Sequence, residues 1–405
     1  MTSSELLQTY PEIKEPFFSK RRFKHEDLVN LLKRIPFDQQ IIGYSYEGRS
    51  IHKIQWGKGG KTVLLWSQMH GNEATATMAL FDIFRFLQNT DSSFTRLLHE
   101  KLSLHFVPML NPDGAERFIR RTAQQIDMNR DALALACPES KLLKKLQDDL
   151  QPEVSFNLHD QDPRWAAGHT GNQASMAFLA TAYDKDCNWN ENRTRSMQVI
   201  CEMNEVLKPI IPHRIGRFSD EFEPRAFGDN IQKWGSSLIL IESGGNGDDR
   251  EKMELRQLNF LTILKALESI ASESYTNRKL QEYESIPLNT KCLFDLLIRN
   301  VKLGDTLLDL GINLNEINNE NATDFHLDSS IEDMGDLSTF FGIKTLDAAG
   351  MDAQPLEQFS ETLTEQGLSF EASGDICFEK RANFALTKNG KPQYFVINGI
   401  LHPSS

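Results

Sequence analysis

His70 and Glu73 stand three residues apart in the stretch LLWSQMHGNEATATMALFDIF, where an apolar strand pattern gives way to a helical one. An imidazole and a carboxylate at this spacing, launched from a strand end onto a first helical turn, converge just outside the sheet and can clamp a metal ion. A plainer reading exists, because Glu in a helix's first turn is favoured by the helix dipole alone. Three further segments bear on the choice. FVPMLNPDGAERFIRR reads as a strand and an Asn-Pro-Asp-Gly turn, with IDMNRD close behind; EVSFNLHDQ is a short apolar strand that delivers His159 to its end. SSLILIESGGNGDD is a buried-type strand that closes on Glu242 before a Ser-Gly-Gly break. In open α/β sheets ligands gather beyond the carboxyl ends of the strands, so His70, Glu73, His159 and Glu242 are predicted to meet there.

Taken in order, IGYSYEGRSIHKI, HGNE, NPDG, DMNRD, NLHD and LIESGG resemble the zinc carboxypeptidases of the metallopeptidase M14 family, over roughly residues 35 to 265. The resemblance implies one zinc ion per chain, bound by His70, Glu73 and His159. It implies Glu242 as general base and acid, Arg120 on the scissile carbonyl, and Asn129 and Arg130 on the substrate's terminal carboxylate. In the family pattern the carbonyl-polarising Arg lies seven residues before the Asp of Asp-x-Asn-Arg, here Asp127, which selects Arg120 with Arg121 as the fallback.

The chemistry agrees with those roles. A catalytic zinc keeps three protein ligands and an open position, where bound water is acidified to a pKa of about 7. A carboxylate off the metal must then take the water's proton and return it to the leaving amine, and Glu242 is the best-placed candidate. A developing oxyanion needs a fixed cation, which the guanidinium of Arg120 or Arg121 supplies. A fork from Arg130, steadied by Asn129, recognises a free C-terminal carboxylate and selects cleavage from the chain end.

Other residues carry weaker claims. Asn111 and Asp113 read first as turn formers, since Pro presets φ and Gly permits positive φ. His105 reads as a half-buried strand histidine, and His169, in a Gly-rich loop after the third ligand, as a surface residue with pocket lining as the alternative. The digestive members of the family carry a mobile Tyr before the catalytic Glu, whereas GRFSDEFEPRAFGDNIQKWG has none and offers Phe218, Phe222 and Phe227. The specificity pocket is expected near Gly228 to Gln232. Arg217, Asp220, Glu221, Glu223 and Arg225 crowd the same loop, as a solvated segment or as partners for a charged substrate side chain.

The chain has 405 residues, 40% of them apolar, more than one ordinary domain requires. Its formal charge of −13, from 44 basic and 57 acidic residues, excludes the basic face that nucleic acid demands. No run reaches the roughly 18 apolar residues that span a bilayer, and the first residues lack an apolar signal core, so a cytoplasmic protein is expected. Five scattered cysteines (Cys137, Cys187, Cys201, Cys292, Cys377) fit free thiols in a reducing compartment.

The fold class expected is α/β: a mixed, eight-stranded-type sheet flanked by helices, like the zinc carboxypeptidases, with a smaller C-terminal β-rich domain. A polar lead and a short helix in FKHEDLVNLLKRI come first; ATMALFDIFRFLQ, ESKLLKKLQDDLQ, RSMQVICEMNEVLKPII and REKMELRQLNFLTILKALESIAS then have the helical period. GKGGK reads as a hairpin turn without the spacing of a phosphate loop. The catalytic domain is placed at 1–275, a linker at 276–289 and the accessory domain at 290–405, from the short runs LFDLLIRN, DTLLDLGIN, ATDFHLDS, GLSFEASGDICFE and QYFVINGILH. The function expected is a zinc metallocarboxypeptidase acting on peptides. The alternative is a zinc-dependent deacylase of N-acyl amino acids, like succinylglutamate desuccinylase, which shares the His-x-x-Glu and distal His framework. Neither a nucleic-acid nor a membrane partner is expected, and the oligomeric state is not encoded in any motif.

Overall fold

The computed structural model describes residues 1–371 and 374–404. The chain divides into two compact units, Met1–Pro163 with Ala174–Asn289, and Arg164–Gln173 with Thr290–Ser405.

The first unit is built on a mixed eight-stranded sheet. Its strands are β1 (Asp38–Tyr44), β2 (Ser50–Trp56), β3 (Lys61–Ser67), β4 (Leu102–Val107), β5 (Val154–Asp160), β7 (Met176–Leu179), β8 (Ile215–Arg217) and β9 (Ser237–Ser243). They run in the order β1-β2-β4-β3-β5-β9-β7-β8. The middle of the sheet, β4-β3-β5-β9, is parallel, and β1, β2 and β7 join antiparallel at the flanks. A parallel centre must be covered on both faces, which is why β3, β5 and β9 read as near-continuous apolar runs rather than alternating ones.

Along β3 the residues alternate between the two coverings. Leu64 and Trp66 join a core with Leu143 and Leu146 of α6 (Pro138–Leu150) and Phe227 and Ile231 of α8 (Phe227–Lys233). The opposite face is covered by α3 (Thr75–Asn89), α4 (Ser93–Lys101), α7 (Glu191–Leu207) and α9 (Met253–Ser272). There Phe84 meets Phe106 edge-on at 5.1 Å, and Phe86 meets Phe260 at 5.7 Å. Each such ring contributes about 1.5–3 kcal/mol on burial.

The polar N-terminal lead is more ordered than its composition suggests. α1 (Ser3–Ile13) opens on a capping box between Thr2 and Glu5, and α2 (His25–Leu32) follows. Between them the chain is pinned by a fully buried ion pair: Arg256 Nη2 lies 2.5 Å from Asp82 Oδ1 and also donates to Glu15 O at 2.8 Å, while Tyr10 Oη donates to Asp82 Oδ2 at 2.9 Å. Partners more than seventy residues away fix this segment, so no local pattern reveals it.

Three expectations are corrected in this unit. GKGGK is not a hairpin turn, because β4 lies between β2 and β3 in the sheet. The segment instead runs against the end of α4 and the start of β4, with Lys58 N–H donating to His99 O at 2.8 Å, and a Cβ on Gly59 would lie 1.8 Å from Lys101 C. The stretch 276–289 is not a free linker either. It carries α10 (Leu280–Glu284), whose buried Tyr283 Oη accepts the Ala180 N–H at 3.1 Å. The Asn-Pro-Asp-Gly run, likewise, starts the short helix α5 (Pro112–Arg117) with Pro112 in its first turn.

The second unit is β-rich. β6 (Trp165–Ala167) pairs with β10 (Asn289–Lys291), and a separate sheet runs β13-β12-β11-β15-β16-β17-β18. Its strands are β11 (Leu293–Leu303), β12 (Thr306–Asn318), β13 (Phe325–Gly335), β15 (Asp352–Gln354), β16 (Phe384–Lys388), β17 (Lys391–Ile397) and β18 (Ile400–Pro403), with β14 (Phe341–Asp347) parallel to β11. Its one α-helix among the described residues, α11 (Ser360–Glu365), precedes a stretch expected as a strand run, GLSFEASGDICFE. Of that run, 372–373 lie outside the described residues and the rest forms no strand. The segment 164–173, expected within the catalytic domain, belongs to this unit because Arg164 is bound there: its Nε lies 2.8 Å from Asp295 Oδ2 and its Nη2 donates to Leu314 O at 2.9 Å.

Candidate metal centre

β3 stops at Ser67 because Gln68 turns into a left-handed conformation, φ 49°, with its side-chain Nε2 donating to Gly71 O at 2.9 Å. His70 and Glu73 therefore lie in the turn between β3 and α3, and Glu73 precedes the helix rather than sitting in its first turn. Gly71 is required here, since a Cβ would lie 2.0 Å from Gly114 C. Asn111, at the head of α5, ties the same turn down by donating through Nδ2 to Met69 O at 3.2 Å. Asp113 is structural as well, accepting from Ser45 Oγ at 2.7 Å and Arg49 Nη1 at 2.7 Å.

His159 comes from the end of β5 and faces Glu242 of β9 directly across the parallel ladder. The two imidazoles then close on one carboxylate: His70 Nδ1 lies 2.8 Å from Glu73 Oε1, and His159 Nδ1 lies 2.6 Å from Glu73 Oε2. All three are buried, 1%, 7% and 3% exposed for His70, Glu73 and His159. Burial works against charge on Glu73, but the two imidazoles override it and hold the carboxyl well below the usual range.

Around this trio lies a shell that the motif reading passed over. Asp127 Oδ1 sits 3.0 Å from His70 Nε2, and its Oδ2 accepts Arg120 Nε at 3.0 Å. Asp127 thus orients one imidazole and one guanidinium together, and despite partial burial those partners keep it ionised. Arg120 also reaches Glu73 Oε1 through Nη1 at 3.3 Å, whereas Arg121 turns away and donates to Gln125 O at 3.0 Å. Asp160, next to His159, accepts from Thr75 Oγ1 at 2.7 Å and lies 3.5 Å from the buried Lys252 Nζ. Lys252 donates to Ser243 O at 2.8 Å and to Gln161 O at 3.3 Å, binding the ends of β5 and β9 to each other. The only signal for Asp127 was its place in DMNRD; Lys252 had none.

Glu242 has a different environment. Burial, then the nearby negative charges of Glu73 and Asp160, push its carboxyl well above the usual range, and its Oε2 is buried with no hydrogen-bond partner. Asn129 and Arg130 lie in a 3-10 turn (Met128–Arg130) that faces the 223–227 loop. His105 is a buried residue of β4 whose pKa burial lowers to about 4, and His169 belongs to the second unit, edge-on to Phe341 at 5.5 Å. Phe227 is fully buried in the α6 and α8 core.

The donor set fits zinc. One ligand atom from each of His70, Glu73 and His159 lies within 4.8 Å of the other two. Two neutral-capable imidazoles and one ionised carboxylate form a borderline N/O set suited to this ion. His70 has the outer carboxylate that metal-bound imidazoles typically carry. The Nε2 of His159, like Glu242 Oε2, is buried without a partner, as happens where a ligand or ordered water completes a site.

Residues 29–197 match the family model for zinc carboxypeptidase, Peptidase_M14. A probable carboxypeptidase 2 from Arthroderma benhamiae is 29% identical over 242 residues, which are 58% of this chain and 42% of that protein. An uncharacterized protein from Zymomonas mobilis is 27% identical over 110 residues, 27% of this chain and 29% of that one. The chain therefore spans less than half the length of these relatives. In fold, it is similar to a metallo-carboxypeptidase from Pseudomonas aeruginosa (TM-score 0.50, 17% identity, 62% of this chain and 70% of that one). It is equally similar to bovine thrombin-activatable fibrinolysis inhibitor (TM-score 0.50, 14% identity, 64% and 98%). No helix among the described residues is long and apolar enough to cross a membrane. Residues 29–197 are thus similar in sequence to the zinc carboxypeptidases, and the mixed sheet of the first unit is similar in fold to the Pseudomonas metallo-carboxypeptidase.

Proposed function

We propose that the protein is a zinc-dependent metallocarboxypeptidase that hydrolyses the C-terminal peptide bond of its substrates, with one zinc ion per chain. The observation that carries this reading is the meeting of two imidazoles on one buried carboxylate with Glu242 in register beside them. His70, Glu73 and His159 hold the metal, which when bound supplies a Lewis acid and a water acidic enough to react near neutral pH. Glu242 takes the proton of the attacking water and returns it to the leaving amine. Its raised affinity for protons suits the second half of that task. Arg120, its guanidinium fixed by Asp127 and Glu73, donates to the carbonyl oxygen as negative charge develops there. Asn129 and Arg130 bind the terminal carboxylate and so restrict cleavage to the chain end. A reducing, cytoplasmic setting accords with five free cysteines.

The test is to incubate zinc-loaded protein with a mixed library of peptides, free and C-terminally amidated, and to follow mass loss with and without chelator. Chelator-sensitive loss of single C-terminal residues from the free peptides alone is expected. Turnover of N-acyl amino acids with no peptide trimmed would overturn the reading in favour of the deacylase class.

A further inference from the structure

Asn129 and Arg130 are both engaged by one loop. Asn129 Oδ1 accepts the Phe227 N–H at 3.0 Å, and Ala132 N–H donates to Arg225 O at 3.1 Å. Arg130 Nε lies 3.2 Å from Glu223 Oε2, while its Nη1 is turned back to Asn129 O at 2.7 Å. The guanidinium assigned to a substrate carboxylate thus already holds a carboxylate of the protein.

That carboxylate has a second owner. Arg225 grips Glu223 side-on, Nε to Oε1 at 2.9 Å and Nη2 to Oε2 at 2.8 Å, and its backbone N–H adds a third bond to Oε1 at 3.1 Å. The Glu223 N–H donates to Asp229 Oδ1 at 3.1 Å, fixing the loop stem to α8. Losing Arg130 would therefore cost Glu223 one bond of four, and exposed ion pairs of this kind are weak. The pair is also accessible, with side chains 41% and 29% exposed for Arg130 and Glu223.

Building on the carboxypeptidase reading, we propose that Glu223 occupies the place on Arg130 that the substrate's C-terminal carboxylate takes, and that substrate binding transfers Glu223 wholly to Arg225. Glu223 is then a specificity residue. Two carboxylates repel across one guanidinium edge, so the resident one weakens the binding of ligands with a charged C-terminus and leaves neutral amides, which do not compete for Arg130, little affected. Arg225 holds the Glu223 carboxyl down to about 2, so the competitor stays charged across the neutral range. The plainer account, a surface ion pair that only stiffens the loop, predicts that loss of Glu223 alters acid and amide binding alike and leaves their ratio unchanged.

The experiment uses the full zinc-loaded chain carrying Glu242→Gln, so that ligand is bound without turnover. An equimolar library of N-acetyl tripeptides, each as free acid and as amide, is equilibrated with it, and the retained acid-to-amide ratio is read by mass spectrometry. Adding Glu223→Gln is expected to raise that ratio about three- to five-fold. Adding Arg225→Gln alone is expected to lower it, because Glu223 then falls wholly on Arg130, and to have no effect when Glu223→Gln is already present. An unchanged or reduced ratio with Glu223→Gln overturns the proposal, as does an Arg225→Gln effect that persists in the double variant. Should Glu223→Gln fail to fold, the Arg225→Gln arm decides alone, an unchanged or raised ratio being the overturning result. Absence of peptide trimming by the Glu242-intact protein would sink the carboxypeptidase reading without touching this ratio.

Discussion

Glu73 spends both its oxygens on imidazoles from separate segments, His70 from its own turn and His159 from a strand 86 residues on. Removing one member should therefore be felt as lost metal. His159→Ala is expected to lower zinc content below one per chain, measured by atomic emission after dialysis. Glu242→Gln should instead abolish peptide turnover with zinc retained, since its carboxylate is outside the ligand trio. Asp127→Asn sits between these cases. It keeps the shape but weakens the hold on His70 Nε2, so zinc affinity should fall about 10- to 100-fold in a chelator competition. The candidate ligands and Glu242 were legible because each lies at or just beyond the end of a strand within a short, distinctive run. Arg130's partner was not: Glu223 lies 93 residues away in a loop whose many charges gave no means of choosing among them.

At the scale of elements, the centre depends on strand ends being held at a common level. Lys252, buried at the head of α9 with φ 54°, does this for β5 and β9 while facing Asp160. Lys252→Met leaves Asp160 with an unmatched buried charge, and a loss of about 3–5 kcal/mol in unfolding free energy is expected by denaturant titration. α8 carries a second buried acid. Burial, with Glu223's charge adding to it, raises the Asp229 carboxyl to about 7. Its folded-state pKa thus exceeds its unfolded one near 3.9, so its neutral form stabilises the fold at low pH and that contribution is lost as pH rises through 7. Asp229→Asn should accordingly gain stability relative to the parent between about pH 4 and 7, and a pH-independent difference in melting temperature would contradict this. The long helices α3, α6, α7 and α9 were readable from period alone. α1, α5 and α10 were not, because their lengths of 11, 6 and 5 residues and a proline in two of them give weak periodicity, and tertiary bonds such as Tyr283 to Ala180 hold them.

For the whole molecule, composition announced two parts, and the second compact unit comprises Thr290–Ser405 together with an arm, Arg164–Gln173, drawn from within the first part. Arg164, Asp295 and Asn315 form one cluster inside the second unit, with Arg164 Nη2 3.0 Å from Asn315 Oδ1. Arg164→Leu is expected to destabilise that unit by about 3–5 kcal/mol, seen as faster hydrogen exchange in β11 and β12, whereas β3 and β5 should keep their protection. A fragment starting at residue 290 lacks the arm and should show the same loss. The ten-residue arm also sets an order of events in time. It leaves the ribosome directly behind the strand that bears His159, but the residues it packs with begin only at Thr290. At roughly 5–20 residues per second the arm waits on the order of ten seconds for them, an exposed segment on a nascent chain whose first unit is still acquiring β9 and α9.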